Sequence, residues 1–169
     1  QFHPVMVNPL GGPGRLLFHS ASNFVWNGAS KDGVGTLALT KNGTMAVCII
    51  DFFGGPSTYS GVTNVNAGTL FLGSATALGS TVSGVNVANG ATLDIFGQAI
   101  VGKKLTSIQG TGDAGNGQIA ALNSGKGKAS WRGDGQLTGS AEIGGWGNTA
   151  IPSGGASEGG TCARGTPGG

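Results

Sequence analysis

A segment near the middle of the chain almost repeats itself at an interval of about 22 to 23 residues. Residues 64–70 are NVNAGTL, and residues 86–93 are NVANGATL. In each copy, two short runs of alternating apolar and small polar residues flank an Ala-Gly or Asn-Gly turn, and such alternation is typical of half-buried strands. A unit this short cannot bury its own apolar row and must stack on a neighbour. The repeat therefore predicts a parallel β-helix, a solenoid of stacked coils.

Composition favours the same architecture. The chain of 169 residues contains 36 glycines, and only 9% of its residues are charged, whereas about 25% is ordinary for a globular protein. Each glycine in a helix interior costs about 1 kcal/mol relative to alanine, which disfavours a helical fold. We predict one all-β domain of roughly six coils, at about 20 to 25 residues per coil.

The predicted boundaries follow the density of turn residues. Residues 1–23 contain three prolines and the sequence GGPG at 11–14. We expect them to form an irregular lead-in or cap, with residues 16–18 as a candidate first short strand. Residues 24–143 are expected to form the β-helix. Residues 144–169 are rich in Gly, Ser, Thr and Pro and predict a tail or connector.

Two segments, GTLALT at 35–40 and STYSGVTNVNAGTLFLG at 57–73, resemble the autotransporter-associated β-strand repeat. Copies of that repeat carry a GTLTL strand, a TYSGGT turn and a VNAGTLxLG strand. Segments similar to sequences found beside it are 77–80, 87–94 and 130–133. The resemblance covers residues 24–143. It implies a right-handed parallel β-helix within a large, secreted bacterial surface protein, and it implies no catalytic residues.

The chain departs from that repeat in two places. Residues 41–56 are longer and more apolar than the usual link between the GTL strand and the TYSG turn, and Val62 stands where glycine is usual. We expect an insertion at 41–56, either a protruding loop or an extra strand, that interrupts the array.

The charges point to no charged partner. A net charge of +2 is too weak and too scattered to predict nucleic-acid binding. The densest basic positions, Lys103, Lys104, Lys126 and Lys128, are interpreted as a solubilising surface. The sequence contains neither a recognisable signal peptide nor a stretch long and apolar enough to span a membrane.

The two cysteines, Cys48 and Cys162, are far apart and belong to no metal-binding spacing. A disulfide between them is one alternative in an exported protein. The apolar run at 45–50 favours a buried thiol at Cys48 instead. Residues 110–113, GTGD, are faintly similar to a calcium-binding β-roll repeat, but they occur once, and such sites need stacked copies. We predict no metal and no cofactor.

The search for catalytic residues gives one weak candidate. No two of the seven acidic residues stand two positions apart, and Asp94 is the best candidate for an exposed carboxylate because it alternates with apolar neighbours. Its alternative role is surface solvation. His3 and His19 lie outside the repeat without an acidic partner, and residues 97–104 approach a phosphate-binding loop but lack its Ser/Thr and its helix. We predict that the protein is not an enzyme.

Aromatic residues offer a candidate binding surface. Phe71 alternates with Leu70 and Leu72, so its side chain is expected to point outward. The predicted ligand or self-association surface consists of Phe71, Asp94, Trp131 and Trp146. Inward packing is the alternative for rings of this size.

The leading functional hypothesis is structural. Open ends of a coil stack carry unpaired backbone groups that can template another chain. We therefore expect a structural or adhesive segment of a secreted or cell-surface bacterial β-helix protein that self-associates end to end or through its tail. One alternative is a module that binds or degrades polysaccharide on surface glycans, and another is a fragment of a longer passenger without a function of its own.

Overall fold

The computed structural model describes residues 5–19, 22–53, 55–116, 120–126, 128–145, 149–150 and 161–164. Within these residues the secondary structure is almost entirely β, with one short 3-10 turn, Ala114–Asn116. Every described strand pair is parallel, and the strands stack as a β-solenoid of about six turns. The prediction of an all-β coil stack is confirmed.

The strands follow one another closely along the chain. In order they are β1 (Val5–Asn8), β2 (Gly14–His19), β3 (Phe24–Asp32), β4 (Leu37–Asn42), β5 (Val47–Phe53), β6 (Thr63–Val65), β7 (Gly68–Leu72), β8 (Val85–Val87), β9 (Ala91–Asp94), β10 (Ala99–Val101), β11 (Leu105–Gly110), β12 (Leu122–Asn123), β13 (Ala129–Arg132), β14 (Gly135–Gly145), β15 (Thr149–Ala150) and β16 (Thr161–Arg164).

Successive strands of one coil lie on different faces of the solenoid. The first face contains β2, β4, β6, β8, β11 and the first half of β14. The second contains β3, β5, β7, β9, β12, the second half of β14, and β16. A third face contains β10, β13 and β15. Strand β1 pairs with the last residues of β3. The long strand β14 continues from the first face to the second.

The core is a set of columns of aliphatic side chains in register. On the second face, Val47, Leu70, Leu93 and Leu122 occupy paired positions of four consecutive strands. Each is at most 3% exposed. Full burial of one such side chain stabilises the fold by about 1.5–3 kcal/mol. Because side chains alternate across a strand, the residues that follow them in sequence point to the outer surface of the same face.

The array is not interrupted at β5, so that part of the prediction for 41–56 was wrong. A register shift nevertheless gives β5 two more residues than β3, because Trp26 pairs with Ile49 whereas Gly28 pairs with Phe53. Phe24 pairs with Val47, and Val47 pairs with Leu70, so successive members of this column are evenly spaced along the chain. β5 lies between β3 and β7 as an ordinary member of the second face. Its outward residues Cys48 and Ile50 are half-buried, which explains why the segment is continuously apolar.

A longer coil lies later in the chain. Leu93 pairs with Leu122, a longer step than those before it in the column, and the additional residues follow β11. This segment folds back over β7 and β9. The Thr69 hydroxyl donates to Asp113 Oδ2 at 2.9 Å, and the Asp113 N–H donates to the Thr92 hydroxyl at 2.8 Å. The glycine-rich loop therefore acts as a cover for the outer positions of two strands.

The solenoid extends beyond the predicted boundaries at both ends. β1 and β2 lie within residues 1–23 and pair with β3 and β4, so the described part of this segment belongs to the coil stack and is not an irregular lead-in. The prolines and glycines between β1 and β2 form a turn, which the Asn8 side chain braces by donating to Gly12 O at 2.9 Å and Thr36 O at 2.8 Å. β15 and β16 also fall inside the predicted tail, 144–169, yet they pair with β13 and β14.

One lysine closes the corner between the first and second faces from within. Lys41 is 0% exposed. Its ammonium donates to three carbonyl oxygens of the corner, at 3.0 Å to Asn42, 2.6 Å to Gly43 and 2.9 Å to Ala67. Burial lowers the pKa of Lys41, and the nearby charge of Asp113 opposes this shift. The ammonium supplies donors that corner carbonyls need away from water.

A second lysine has the same role at another corner. Lys103 is 2% exposed, and its ammonium donates to Leu78 O and Ser80 O, both at 2.7 Å. It lies 5.7 Å from the centroid of the Tyr59 ring. Burial lowers the pKa of Lys103 to about 8. The prediction that Lys103 belongs to a solubilising surface was wrong, because the corner needs an internal donor.

Candidate functional site

A groove of about 390 Å³ on the outside of the second face combines charge with an aromatic ring. It runs along the edge of that face across four consecutive coils. We call it the Cys48 groove, and the side chains that line it are Cys48, Ile50, Phe96, Gln98, Lys126 and Lys128. The backbone of two glycines completes the surface.

The floor of the groove adjoins an outward column of the second face. Cys48 pairs with Phe71, Phe71 pairs with Asp94, and Asp94 pairs with Asn123. These residues alternate with the buried column of Val47 and its equivalents, so they point away from the core. The column places one thiol, one ring and one carboxylate in adjacent coils.

Asp94 is enclosed, and the prediction that it is an exposed carboxylate was wrong. It is 0% exposed. Oδ1 accepts from the N–H groups of Phe96 at 2.8 Å and Gly125 at 2.9 Å, and Oδ2 accepts from Asn123 Nδ2 at 3.0 Å. The alternation placed it outward correctly, but the next coil covers it. A carboxylate in this setting shapes the backbone and has no access to a substrate.

The electrostatics of Asp94 follow from that enclosure. Burial raises its pKa above the ordinary 3.8, and the hydrogen bonds from Gly125, Phe96 and Asn123 oppose the rise without cancelling it. No cation forms an ion pair with Asp94 among the described residues. Desolvation of an unpaired carboxylate is therefore the dominant effect.

Phe96 forms the aromatic wall of the groove in a strained backbone conformation. It has a φ of 43°, and it is the only non-glycine residue of the described chain with positive φ. Its ring meets Phe71 edge-on at 5.7 Å between centroids, and Lys126 Nζ lies 5.4 Å from the Phe96 centroid. Strain of this kind persists only where neighbouring contacts hold it. Here the Asp94 carboxylate and the Phe71 ring supply those contacts.

The Cys48 thiol lies half-buried in the groove and is free. Burial raises its pKa, the charge of Asp94 raises it further, and a backbone hydrogen bond from Gly73 opposes the shift. A thiol that stays protonated at neutral pH is a weak nucleophile. The groove is therefore suited to binding and does not activate Cys48 for covalent catalysis.

The backbone register excludes a disulfide between Cys48 and Cys162. Cys48 lies on β5 and Cys162 on β16, with β7, β9, β12 and β14 between them. Five strand spacings of about 4.8 Å separate the two Cα atoms by roughly 24 Å. A disulfide needs Cα atoms within about 7 Å. Cys48 is a free thiol, but it is half-buried at the groove and not fully buried as predicted.

Of the predicted binding surface, Phe71 and Asp94 are paired neighbours in adjacent coils, whereas Trp131 lies on a different face. Phe71 is half-buried between two fully buried leucines, in agreement with an outward orientation. Trp131 is 2% exposed and belongs to the core, so its predicted surface position was wrong. Its large ring fills the space behind the third face, as the alternative of inward packing proposed. Trp146 lies outside the described residues.

Two other carboxylates, those of Asp32 and Asp113, also brace the fold. The hydrogen bonds that Asp32 accepts from Ser60 and from the Leu37 N–H outweigh desolvation and lower its pKa. Asp113 holds the cover over β7. Within the described part of the chain no three His, Cys, Asp or Glu side chains gather as a metal site would require. His19 is exposed on β2, whereas His3 lies outside the described residues.

Sequence reasoning missed the groove because its parts come from four coils. Lys126 and Lys128 were interpreted as part of a solubilising surface. The available signal was the sequence DIFGQ at 94–98, in which an aspartate precedes a turn residue by two positions, as in an Asx turn. That signal indicates the turn at Phe96, but Lys126 and Lys128 lie near this turn only because the next coil stacks on it.

None of the described helical segments has the length and apolar character needed to cross a membrane. In comparisons with known proteins, no family model matches the chain, and no curated protein or solved structure matches it either. The geometry itself identifies the chain as a β-solenoid built from repeated coils.

Proposed function

We propose that this protein is a structural or adhesive segment of a secreted or cell-surface bacterial solenoid, and that its coils associate end to end. The observation that carries this proposal is the open edge of the first coil. β2 pairs with β4 on one side, and no described strand pairs with its other side. A strand edge of six residues is a template for a further parallel strand.

The direction of the backbone groups shows which residues form that edge. The Gly14 N–H donates to Thr36 O and so points toward β4. In a parallel strand, alternate residues direct their N–H and C=O groups to opposite sides. The backbone N–H and C=O groups on the open side therefore belong to Arg15, Leu17 and His19. The side chains of these three residues are exposed.

Apolar groups accompany the open edge. Phe18 packs against Phe24 and Trp26, with centroid separations of 5.5 and 6.1 Å, and closes the core at the first coil. Nearby, Leu17 is 42% exposed and Val25 is 53% exposed. An added coil would cover these side chains and pair the edge at the same time. Because the two ends of a solenoid differ, such association is head to tail and extends into a filament.

The proposed location outside the cell has separate support. The low charge and high glycine content differ from those of an ordinary cytosolic domain, and two segments resemble a repeat of secreted bacterial surface proteins. Immunogold labelling of intact producing cells tests this part. Label at the cell surface supports the location, and label confined to the interior contradicts it.

The test of self-association removes one edge donor. Leu17→Pro deletes an N–H on the open side, whereas Leu17→Ala shortens the same side chain and keeps the N–H. We expect the wild-type chain and Leu17→Ala to form oligomers in sedimentation velocity and filaments in electron micrographs, and Leu17→Pro to remain monomeric with an unchanged circular dichroism spectrum. A wild-type chain that stays monomeric at high concentration would overturn the proposal.

A further inference from the structure

Two lysine side chains give the Cys48 groove a positive rim. Lys126 and Lys128 are both exposed and lie in the segment between β12 and β13. Asp94 lies nearby, but it is fully enclosed and its oxygens already accept from Phe96, Gly125 and Asn123. The groove therefore presents two cations to solvent while the nearby Asp94 carboxylate is enclosed, which favours an anionic ligand.

The inner surface of the groove combines an apolar wall with an amide. Phe96 and Ile50 supply apolar surface. Gln98 Nε2 donates to Gly73 O at 3.3 Å, an arrangement that orients the side chain and leaves its amide oxygen to accept from a ligand hydroxyl. This surface is therefore complementary to a ligand that has an apolar ring face, hydroxyl groups and a carboxylate.

The aromatic wall is held in place before any ligand arrives. The Asp94 carboxylate fixes the turn at Phe96, and the Phe71 ring packs edge-on against it. The Gly97 N–H donates to the Ser124 hydroxyl at 3.1 Å, which ties this turn to the coil that carries the lysines. A preorganised site loses less conformational entropy when it binds.

The position of the groove excludes two other ligand classes. Its walls are outward side chains of strands whose backbone groups are already paired within the sheet, so a peptide cannot add as a strand. Two lysines are too few for the phosphate contacts that dominate nucleic-acid affinity. A volume of about 390 Å³ is at the small end of ligand sites, and it suits one or two rings of an extended polymer.

From these features we infer that the Cys48 groove binds a uronic acid residue of an acidic polysaccharide, with its carboxylate at Lys126 and Lys128 and its ring against Phe96. This inference is independent of end-to-end association. It adds a recognition site on the side of a structural rod, where every copy in a filament would present one.

The test uses oligomers of galacturonic, mannuronic and glucuronic acid in isothermal titration calorimetry. We expect at least one of them to bind, and the double variant Lys126→Gln/Lys128→Gln to bind about tenfold more weakly or not at all. The matched control, Lys104→Gln/Arg132→Gln, removes two exposed charges elsewhere and should bind as the wild type does. Equal losses in both variants would show only a general charge effect and would overturn the inference.

A second measurement reports on the groove directly. Cys48 is alkylated at about pH 9, where part of the thiol is ionised, and its modification is followed separately from that of Cys162 by mass spectrometry of peptides. We expect the bound uronate oligomer to slow alkylation of Cys48 by about threefold or more. Neutral galactose oligomers and acetate at the same concentration should leave the rate unchanged. Failure of every uronate to bind, or equal protection by acetate, would overturn the assignment to an acidic sugar.

Discussion

The carboxylate of Asp94 accepts a 2.8 Å hydrogen bond from the backbone N–H of Phe96, the only described non-glycine residue with positive φ. The same carboxylate accepts from Gly125 in the following coil. A single buried acid thus sets a local turn and joins two coils, and it does so beneath the groove whose wall Phe96 forms.

This arrangement predicts how stability changes with pH. The folded-state pKa of Asp94 is raised, so the folded chain binds more protons than the unfolded chain between the ordinary 3.8 and the raised value. The free energy of unfolding of the wild type, relative to the non-titrating Asp94→Asn, should therefore fall as pH increases through that window and be constant above it. Urea unfolding of both proteins across the acidic range measures the difference. A difference that grows with pH would show that the three hydrogen bonds outweigh desolvation.

Lys103 predicts the opposite slope at alkaline pH. Its folded-state pKa is about 8, below the ordinary 10.5, so the unfolded chain binds more protons between these values. Relative to Lys103→Met, which does not titrate, the wild type should gain about 3 kcal/mol of unfolding free energy as pH rises through this interval. Guanidinium unfolding of both proteins from about pH 7 to 10.5 checks this, because the comparison cancels contributions that the two proteins share. A difference that does not change with pH would contradict the assigned burial of Lys103.

Two glycines of the repeat provide a matched test of packing between coils. Both have positive φ, 69° at Gly68 and 79° at Gly90. A Cβ at Gly68 would lie 2.6 Å from Gly43 O and 2.7 Å from Met45 O, whereas a Cβ at Gly90 would meet nothing within 4 Å. Gly90→Ala should cost about 1 kcal/mol from the backbone conformation alone.

At Gly68 the substitution adds a clash with the preceding coil, so Gly68→Ala should cost about 3 kcal/mol or more. Thermal unfolding of the two variants measures the contrast, and the shared conformational strain cancels in the comparison. Equal losses of stability would mean that the corner at residues 43–45 relaxes freely, against the close packing described for it.

The sequence predicted the repeated part of this structure well. The match between 64–70 and 86–93 corresponds to strand pairs with nearly constant spacing, because a buried row on one coil requires an equivalent row on the next. The outward orientation of Phe71 followed from the same alternation. Strand alternation and side-chain orientation depend on neighbours within a few residues, so a local sequence pattern is enough to predict them.

What the sequence did not reveal depends on contacts between coils. Lys103 and Asp94 carry charges that usually indicate solvent, and only the stacked neighbours show that each is enclosed by hydrogen-bonding groups. The Cys48 groove has the same origin, since Phe96 and Lys126 are brought together by adjacent coils. Distances between side chains of different coils depend on how the coils stack, and local sequence patterns do not determine them.

The even spacing of the second-face column has a consequence for how such a rod changes length. Phe24, Val47, Leu70 and Leu93 are its consecutive members. Duplication of one repeat length in the gene between Phe24 and Leu70 would insert a whole coil and lengthen the rod by about 4.8 Å. The longer step from Leu93 to Leu122 does not have this freedom, because its cover contacts two earlier strands. The length of the rod can therefore evolve by copying coils before β7, whereas β7, β9 and the cover that joins them must be inherited as a unit.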